Sequence, residues 1–215
     1  MSYFEHLIDT ILHIDVYLNA FVSIYGFWTY LALFAVIFCE TGLIVAPFLP
    51  GDSLLFVAGS IAAQADNTLN ILALFLLLFI ASISGNQINY LVGRAIGPRI
   101  FSAKKSRFFN PKHLDETHRF YEKHGGKTII LARFIPIIRT FAPFVAGMGE
   151  MGHTSFTLYN LISAILWIGS LLFLGYFLGS VTVVKNHFTL VIYGIICISL
   201  LPPVFAFLKN KMNQT

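Results

Sequence analysis

Four ionisable residues lie inside strongly apolar stretches of this 215-residue chain: Glu40, Asp52, Arg133 and Arg139. A charge at bilayer depth costs roughly 3 kcal/mol on insertion scales, so such residues are usually paired or functional. The signs balance, two acids against two arginines. A structural role would have each guanidinium neutralise a carboxylate. The chemical alternative is an anion site. Arginine presents a planar fork that holds phosphate oxygens through two parallel bonds, and it stays charged at any physiological pH. Arg133 and Arg139 are six residues apart with Pro136 between them. That spacing fits no single helix face, but on a broken segment it directs both side chains into one cavity. Half-helix N-termini would add free N–H donors. Glu40, next to the apolar Cys39, and Asp52 are then the candidates for coupling proton entry to anion release. Asp52 follows Pro50 and Gly51, so it also suits the cap of a half-helix.

The elements that must position these four residues are interrupted ones. Residues 39–66 and 128–149 are apolar enough to enter a bilayer, yet each is broken near its middle. Pro47, Pro50 and Gly51 break the first; Pro136 and Pro143 break the second. Backbone groups freed inside lipid must be covered by protein or face a wet cavity. Both segments therefore predict re-entrant helical hairpins. Four further stretches, roughly 21–39, 69–92, 154–178 and 187–208, are long and apolar enough to span. Each half of the chain offers a broken segment followed by a span ending in glycines four apart, Gly93 and Gly97, then Gly175 and Gly179. Small residues at that spacing let helices approach closely. The order predicts an inverted repeat with a site at its interface.

Composition demands a membrane. Hydrophobic residues make up 57% and charged ones only 11%, against about 25% charged in soluble domains. Such a mixture cannot coat a soluble globule, and it excludes disordered, collagenous and disulfide-built chains. Nine of the 14 Lys and Arg fall in residues 93–127, which predicts a cytoplasmic loop there. From that anchor both termini are cytoplasmic and the two hairpins dip in from opposite faces. The expected class is an all-α integral membrane protein: about four transmembrane helices plus two opposed hairpins, in one domain over residues 1–215. Residues 1–20 have no Lys or Arg and read as an interfacial helix rather than a cleavable signal. Asn110 and Pro111 open a surface helix in the basic loop, which Gly125 ends.

Other chemistry finds little support. The seven histidines form no HxxxH or HExxH pair, so no metal is expected, nor any other cofactor. No nucleophile elbow, P-loop or dinucleotide fingerprint occurs. The stretch RFIPIIR lacks the histidine acid or base of a lipid phosphatase, so an enzyme is not expected. Asn86, Gln87, Asn89 and Asn160 suit inter-helix hydrogen bonds, and Tyr25, Trp28 and Tyr30 an interfacial belt.

Three stretches, ETGLIVAPFLPGDSLLFVAG (40–59), GNQINYLVGRAIG (85–97) and HGGKTIILARFIPIIRTFAPFVAGM (124–148), resemble the DedA membrane proteins, within the SNARE-associated or VTT-domain group. They occur in the family's order, and the resemblance runs nearly end to end, close to the bacterial branch. It implies two opposed re-entrant hairpins, essential acids at Glu40 and Asp52, and essential arginines at Arg133 and Arg139. It also implies a part in returning undecaprenyl phosphate across the bacterial inner membrane, with dependence on proton motive force; eukaryotic relatives are phospholipid scramblases. One position departs from the pattern, Asn86, where the family often has Asp. The expected partners are a lipid phosphate, protons and the bilayer, with no nucleic acid; whether the chain forms a homo-oligomer stays open. Three functions are carried forward: a lipid-phosphate translocase, which extends to a general phospholipid scramblase; a proton-dependent transporter of a small ion or solute; and a structural membrane protein. A groove open to lipid favours the first, a closed aqueous cavity the second, and no cavity at the arginines the third.

Overall fold

The computed structural model describes residues 14–43, 51–64, 69–102 and 126–179, with isolated positions 181 and 194. Among the described residues there are seven helices and no strand: α1 (Ile14–Tyr25), α2 (Trp28–Gly42), α3 (Gly51–Ala62), α4 (Ile71–Ser102), α5 (Lys127–Ala132), α6 (Pro136–Met148) and α7 (His153–Gly179). The expected span 187–208, the surface helix of the basic loop, Pro47 and Pro50 lie outside the described residues, as does most of the expected N-terminal interfacial helix.

Helices α4 and α7 are long and apolar enough to cross a membrane, and only 33% of each apolar window is buried. In the core of a soluble protein most of it would be. Instead α4 exposes Leu72, Leu76, Ile80, Ile88 and Leu91 along one stripe, and α7 exposes Leu158, Ile162, Ile165, Leu174 and Phe177. A helix apolar all round, with one face packed and the other bare, suits lipid rather than water. The expected 154–178 span matches α7. The 69–92 span continues to Ser102, ten residues into the stretch expected to be loop.

The expected span 21–39 is not one helix. Gly26, at φ +48°, adopts the left-handed conformation that side chains resist, and it separates α1 from α2. Helix α2 has 15 residues, roughly 22 Å, short of the roughly 30 Å of a hydrocarbon core. It also continues past Cys39 and Glu40 to Gly42, so the first broken segment begins inside it.

Pro136 breaks the second segment as expected. Ile135 is held extended ahead of it, and Pro136 opens α6, where its missing N–H costs nothing. Pro143 does not break the segment. It lies within α6, which continues unbroken to Met148. An internal proline removes one helix bond, and packing of Ala142 and Ala146 into the core on the same helix holds the strand of the chain helical through it.

Two compact units divide the described residues. One takes residues up to Val36, those in Leu49–Phe79 and those from Trp167 on; the other takes those in Ile37–Phe48 and Ile80–Leu166. In the first, α3 is buried from Ser53 to Ile61 and packs against α1. Asn70 caps α4, its Oδ1 accepting from Leu72 and Ala73 N–H at 2.9 and 3.1 Å. In the second, Tyr90, Ile129, Ala132, Ala142, Ala146, Met151 and Phe156 form the core, with the Tyr90 and Phe156 rings stacked at 4.2 Å.

The same helix contact occurs once in each unit. Phe56-Val57-Ala58-Gly59 of α3 recurs as Phe144-Val145-Ala146-Gly147 of α6. A Cβ on Gly175 would stand 2.0 Å from the Phe56 carbonyl, and one on Gly93 2.1 Å from that of Phe144. Reciprocally, a Cβ on Gly59 would stand 2.0 Å from the Leu172 carbonyl, and one on Gly147 2.1 Å from that of Tyr90. The glycines are therefore backbone contacts between helices, which no side chain can share. Gly175→Ala should destabilise the protein by about 1–3 kcal/mol through overpacking. Gly169→Ala, on the same helix, meets only the Phe75 ring edge at 3.7 Å and should stabilise by about 0.5–1 kcal/mol through helix propensity. Thermal midpoints in detergent check the opposite signs.

Candidate functional site

Arg139, Glu40 and Arg133 are brought together in one unit; Asp52 belongs to the other. Arg139 lies on the first turn of α6, placed there by the Pro136 start, and its Nη2 donates to the Glu40 carboxylate in an ion pair buried on both sides. Asn89 of α4 ties down the backbone on either side of that pair. Its Nδ2 donates to the carbonyls of Thr41, next to Glu40, and of Thr140, next to Arg139, at 3.3 and 2.8 Å. The close crossing of α2 and α4, where a Cβ on Gly85 would meet Thr41 Oγ1 at 2.1 Å, makes this reach possible.

Arg133 sits where α5 ends. Three short turns from Ile130, Leu131 and Ala132 carbonyls carry the chain through Arg133 to Ile135 and turn its side chain inward. Nη1 donates to Asn160 Oδ1 at 3.1 Å and Ser163 Oγ at 3.2 Å, two residues on one face of α7. Asn160 in turn donates to the Ile83 carbonyl at 3.1 Å. Asn86 adjoins this group: its Nδ2 donates to Asn160 Oδ1 at 3.0 Å, or, with the amide turned over, its oxygen accepts from Arg133 Nη1 at 2.6 Å.

The two arginines line one crevice with Asn86, Ile129, Ala142 and Pro143. Its gaps amount to about 170 Å³ but nowhere admit a water molecule, so in this state the arginines face packed side chains rather than a cavity, which by the criterion above is what the structural reading expects. Among the described residues the buried charged side chains are Glu40, Arg133 and Arg139. Glu40 is the acid seen to pair with Arg139, and Asn160 and Ser163 are seen to hold Arg133. Planar guanidinium forks of this kind match the geometry of a phosphate as well as that of a carboxylate.

Asp52 lies within the first turn of α3, where a carboxylate favours the positive helix end. Its Oδ1 accepts from Trp167 Nε1 at 2.8 Å. That places it one step inside the helix rather than at the cap position expected from Pro50-Gly51.

The expected inter-helix role of the amides holds, and for Asn160 it is more than that: it is a direct partner of Arg133. Asn160 is an amide in the middle of an apolar span, with Ser163 three residues on, and that spacing was the available signal. Gln87 bonds to His153 at 2.8 Å and accepts from Thr157 at 3.3 Å. No group of three or more His, Cys, Asp or Glu side chains gathers among the described residues, so none there offers a metal cage.

A helical membrane protein with a buried arginine pair beside a proline-broken helix is the class these features define. The VTT domain model matches residues 49–177. Protein DedA of Escherichia coli (strain K12) is 53% identical over 211 residues, 98% of this chain and 96% of that protein. An uncharacterized membrane protein of Mycobacterium leprae is 43% identical over 184 residues, 86% and 82% of the two chains. The inner membrane protein YqjA of E. coli is 33% identical over 159 residues, 74% and 71%. This chain belongs to the DedA family of VTT-domain membrane proteins. No solved structure matches it.

Proposed function

We propose that the protein is a translocase for a lipid phosphate, with undecaprenyl phosphate of the bacterial inner membrane as the preferred cargo, rather than an enzyme. The observation that carries this is the convergence of Arg133 and Arg139 on one crevice. In the closed state Glu40 holds Arg139, while Asn160 and Ser163 hold Arg133. When the α5–α6 segment opens, the phosphate takes the places of those oxygens, and the prenyl tail stays in lipid. Exposed Leu131, Phe134, Ile138 and Phe141 on that segment give the tail an apolar surface to lie along. Proton uptake by Glu40 frees Arg139 for the phosphate and couples the cycle to the proton gradient. Asp52 would serve as a second proton-coupling acid in the other unit.

The topology we propose keeps four crossings and two opposed hairpins, 39–66 and 128–149, with both termini cytoplasmic; the first crossing is then made by α1 and α2 together across the Gly26 break rather than by one helix. It rests on the nine basic residues of 93–127. In a background lacking Cys39 and Cys197, a cysteine at position 105 should resist an impermeant thiol reagent in intact cells, and one at 183 should label. The reverse pattern would refute this orientation.

Cargo class is tested by equilibrium binding in nanodiscs. Undecaprenyl phosphate should displace a bound prenyl phosphate probe, while phosphatidylglycerol and inorganic anions should not. Displacement by small anions alone would favour a solute transporter, and displacement by every phospholipid a general scramblase.

A further inference from the structure

One face of α4 carries a row of buried polar side chains, Ser82, Asn86 and Asn89, at 0%, 2% and 1% exposure. Spacings of four and three residues stack them over about 10 Å of an apolar span. Asn86, in the middle, lines the crevice with both arginines. Two atoms of the row have no hydrogen-bond partner among the described residues, Ser82 Oγ at one end and Asn89 Oδ1 at the other. The orientation of Asn89 is set by chemistry, because its Nδ2 faces two carbonyls, which only accept. A hydroxyl inside a helix either reaches solvent or returns its proton to a carbonyl of the preceding turn. Thr41 returns it to Ile37 at 2.8 Å, Ser84 to Ile80 at 2.6 Å and Ser163 to Asn160 at 3.0 Å. Ser82 does neither, and a buried hydroxyl without a partner costs stability. Packing alone would favour alanine there, which needs no partner and suits a helix better.

We infer that Ser82 is a head-group subsite, its hydroxyl left uncommitted while the crevice is closed so that it can donate to an oxygen of a phosphate monoester. This rests on the lipid-phosphate reading above and extends the site from the two guanidiniums to α4. With residues 93–127 cytoplasmic, α4 runs inward from Ile71, so Ser82 stands one turn to the outer side of Asn86. A head group from the outer leaflet meets Ser82 before it meets the arginines. A neutral hydroxyl holds phosphate less tightly than a guanidinium fork does, so the group is handed on rather than trapped. The second open atom, Asn89 Oδ1, ends the row on the inner side. A singly ionised phosphate monoester satisfies the two in turn, with an oxygen for the hydroxyl and its own O–H for the amide oxygen.

The test uses the purified full-length protein in nanodiscs, with farnesyl phosphate as the probe and with calorimetric titration and thermal melting as the readouts. Ser82→Ala should melt higher than the parent, because an unpaired donor is removed, yet bind the probe ~10-fold more weakly, the loss expected for a hydrogen bond to a charged group. Ser82→Thr keeps the hydroxyl and should bind nearly as the parent does. Ser82→Cys, close in volume but a weak donor, serves if threonine does not fit, and should fall between serine and alanine. Ser84→Ala removes a hydroxyl already committed to Ile80 and should leave affinity unchanged. A structural serine would lose stability on truncation and leave affinity alone, the opposite signs. Parent affinity in Ser82→Ala, or a lower melting midpoint in that variant, would overturn the inference. A parent that fails to bind farnesyl phosphate at all would instead overturn the lipid-phosphate reading on which it rests.

Discussion

If the protein translocates lipid phosphate as proposed, Arg139→Lys should fold normally and move it about one to two orders of magnitude more slowly than the parent, the size expected when a charge-assisted bidentate contact is lost. Lysine keeps the charge, so the ion pair with Glu40 survives in some form. It cannot keep the fork. A phosphate that replaces the carboxylate needs two parallel N–H donors, and an ammonium on a flexible stem supplies a point charge instead. Arg133→Lys should fail in the same way, because the longer reach of the guanidinium to Asn160 and Ser163 is lost with its planarity. Arg139→Ala is a different experiment. It leaves Glu40 buried without the partner it has in this structure, and removal of one member of a buried pair costs about 3–5 kcal/mol. A fall in thermal midpoint should accompany the alanine variant and spare the lysine ones. Normal transport by both lysine variants would remove the phosphate clamp and leave the arginines as charge balance.

Glu40→Gln should bind lipid phosphate yet lose the dependence of its transport on an imposed pH gradient. In the proposed cycle phosphate and carboxylate compete for the same guanidinium, so the cycle needs a moment at which Glu40 lets go of Arg139. Glutamine imitates the protonated acid and holds that moment permanently. Uptake with and without a gradient decides it, and a gradient effect of several fold in the parent should fall to none. Asp52→Asn should show a smaller change. Its bond from Trp167 survives, since an amide oxygen still accepts from the indole N–H, and Asn remains tolerated in a first helical turn. Gradient dependence that persists in Glu40→Gln would place the coupling elsewhere.

Much of the membrane character was legible in composition, because a charge content of 11% leaves no soluble alternative. The break at Pro136 was legible too, since proline dictates both its own φ and the extended residue before it. Pro143 and the 21–39 span were misjudged for opposite reasons. A proline inside a helix packed on both neighbours bends a local rule, whereas a single glycine at Gly26 ended a stretch whose hydropathy is uninterrupted. Hydropathy measures affinity for lipid and is blind to φ. The glycine spacings pointed to close helix contacts, and Gly93, Gly175 and Gly179 make them. Their partners, the two FVAG stretches, needed coordinates, because a glycine says that something approaches and not what. At the site, the balance of charges suggested pairing but not which acid meets which arginine. Glu40 and Arg139 are 99 residues apart in sequence, and no local pattern links them. Asn160 was legible as an inter-helix hydrogen-bonding residue but not as a partner of Arg133, for the same reason: a polar residue in a span has a partner somewhere, and only the fold names it.

The most direct test is flux of a labelled undecaprenyl phosphate between the leaflets of proteoliposomes holding only this protein. The label is placed in one leaflet and its appearance in the other is followed, with and without a pH gradient. The account predicts flux that requires the protein, accelerates when the gradient is imposed, and falls to the empty-liposome rate when Arg133 and Arg139 are both lysine. Flux equal to that of empty liposomes for the parent protein, or flux undiminished in the double lysine variant, would contradict it.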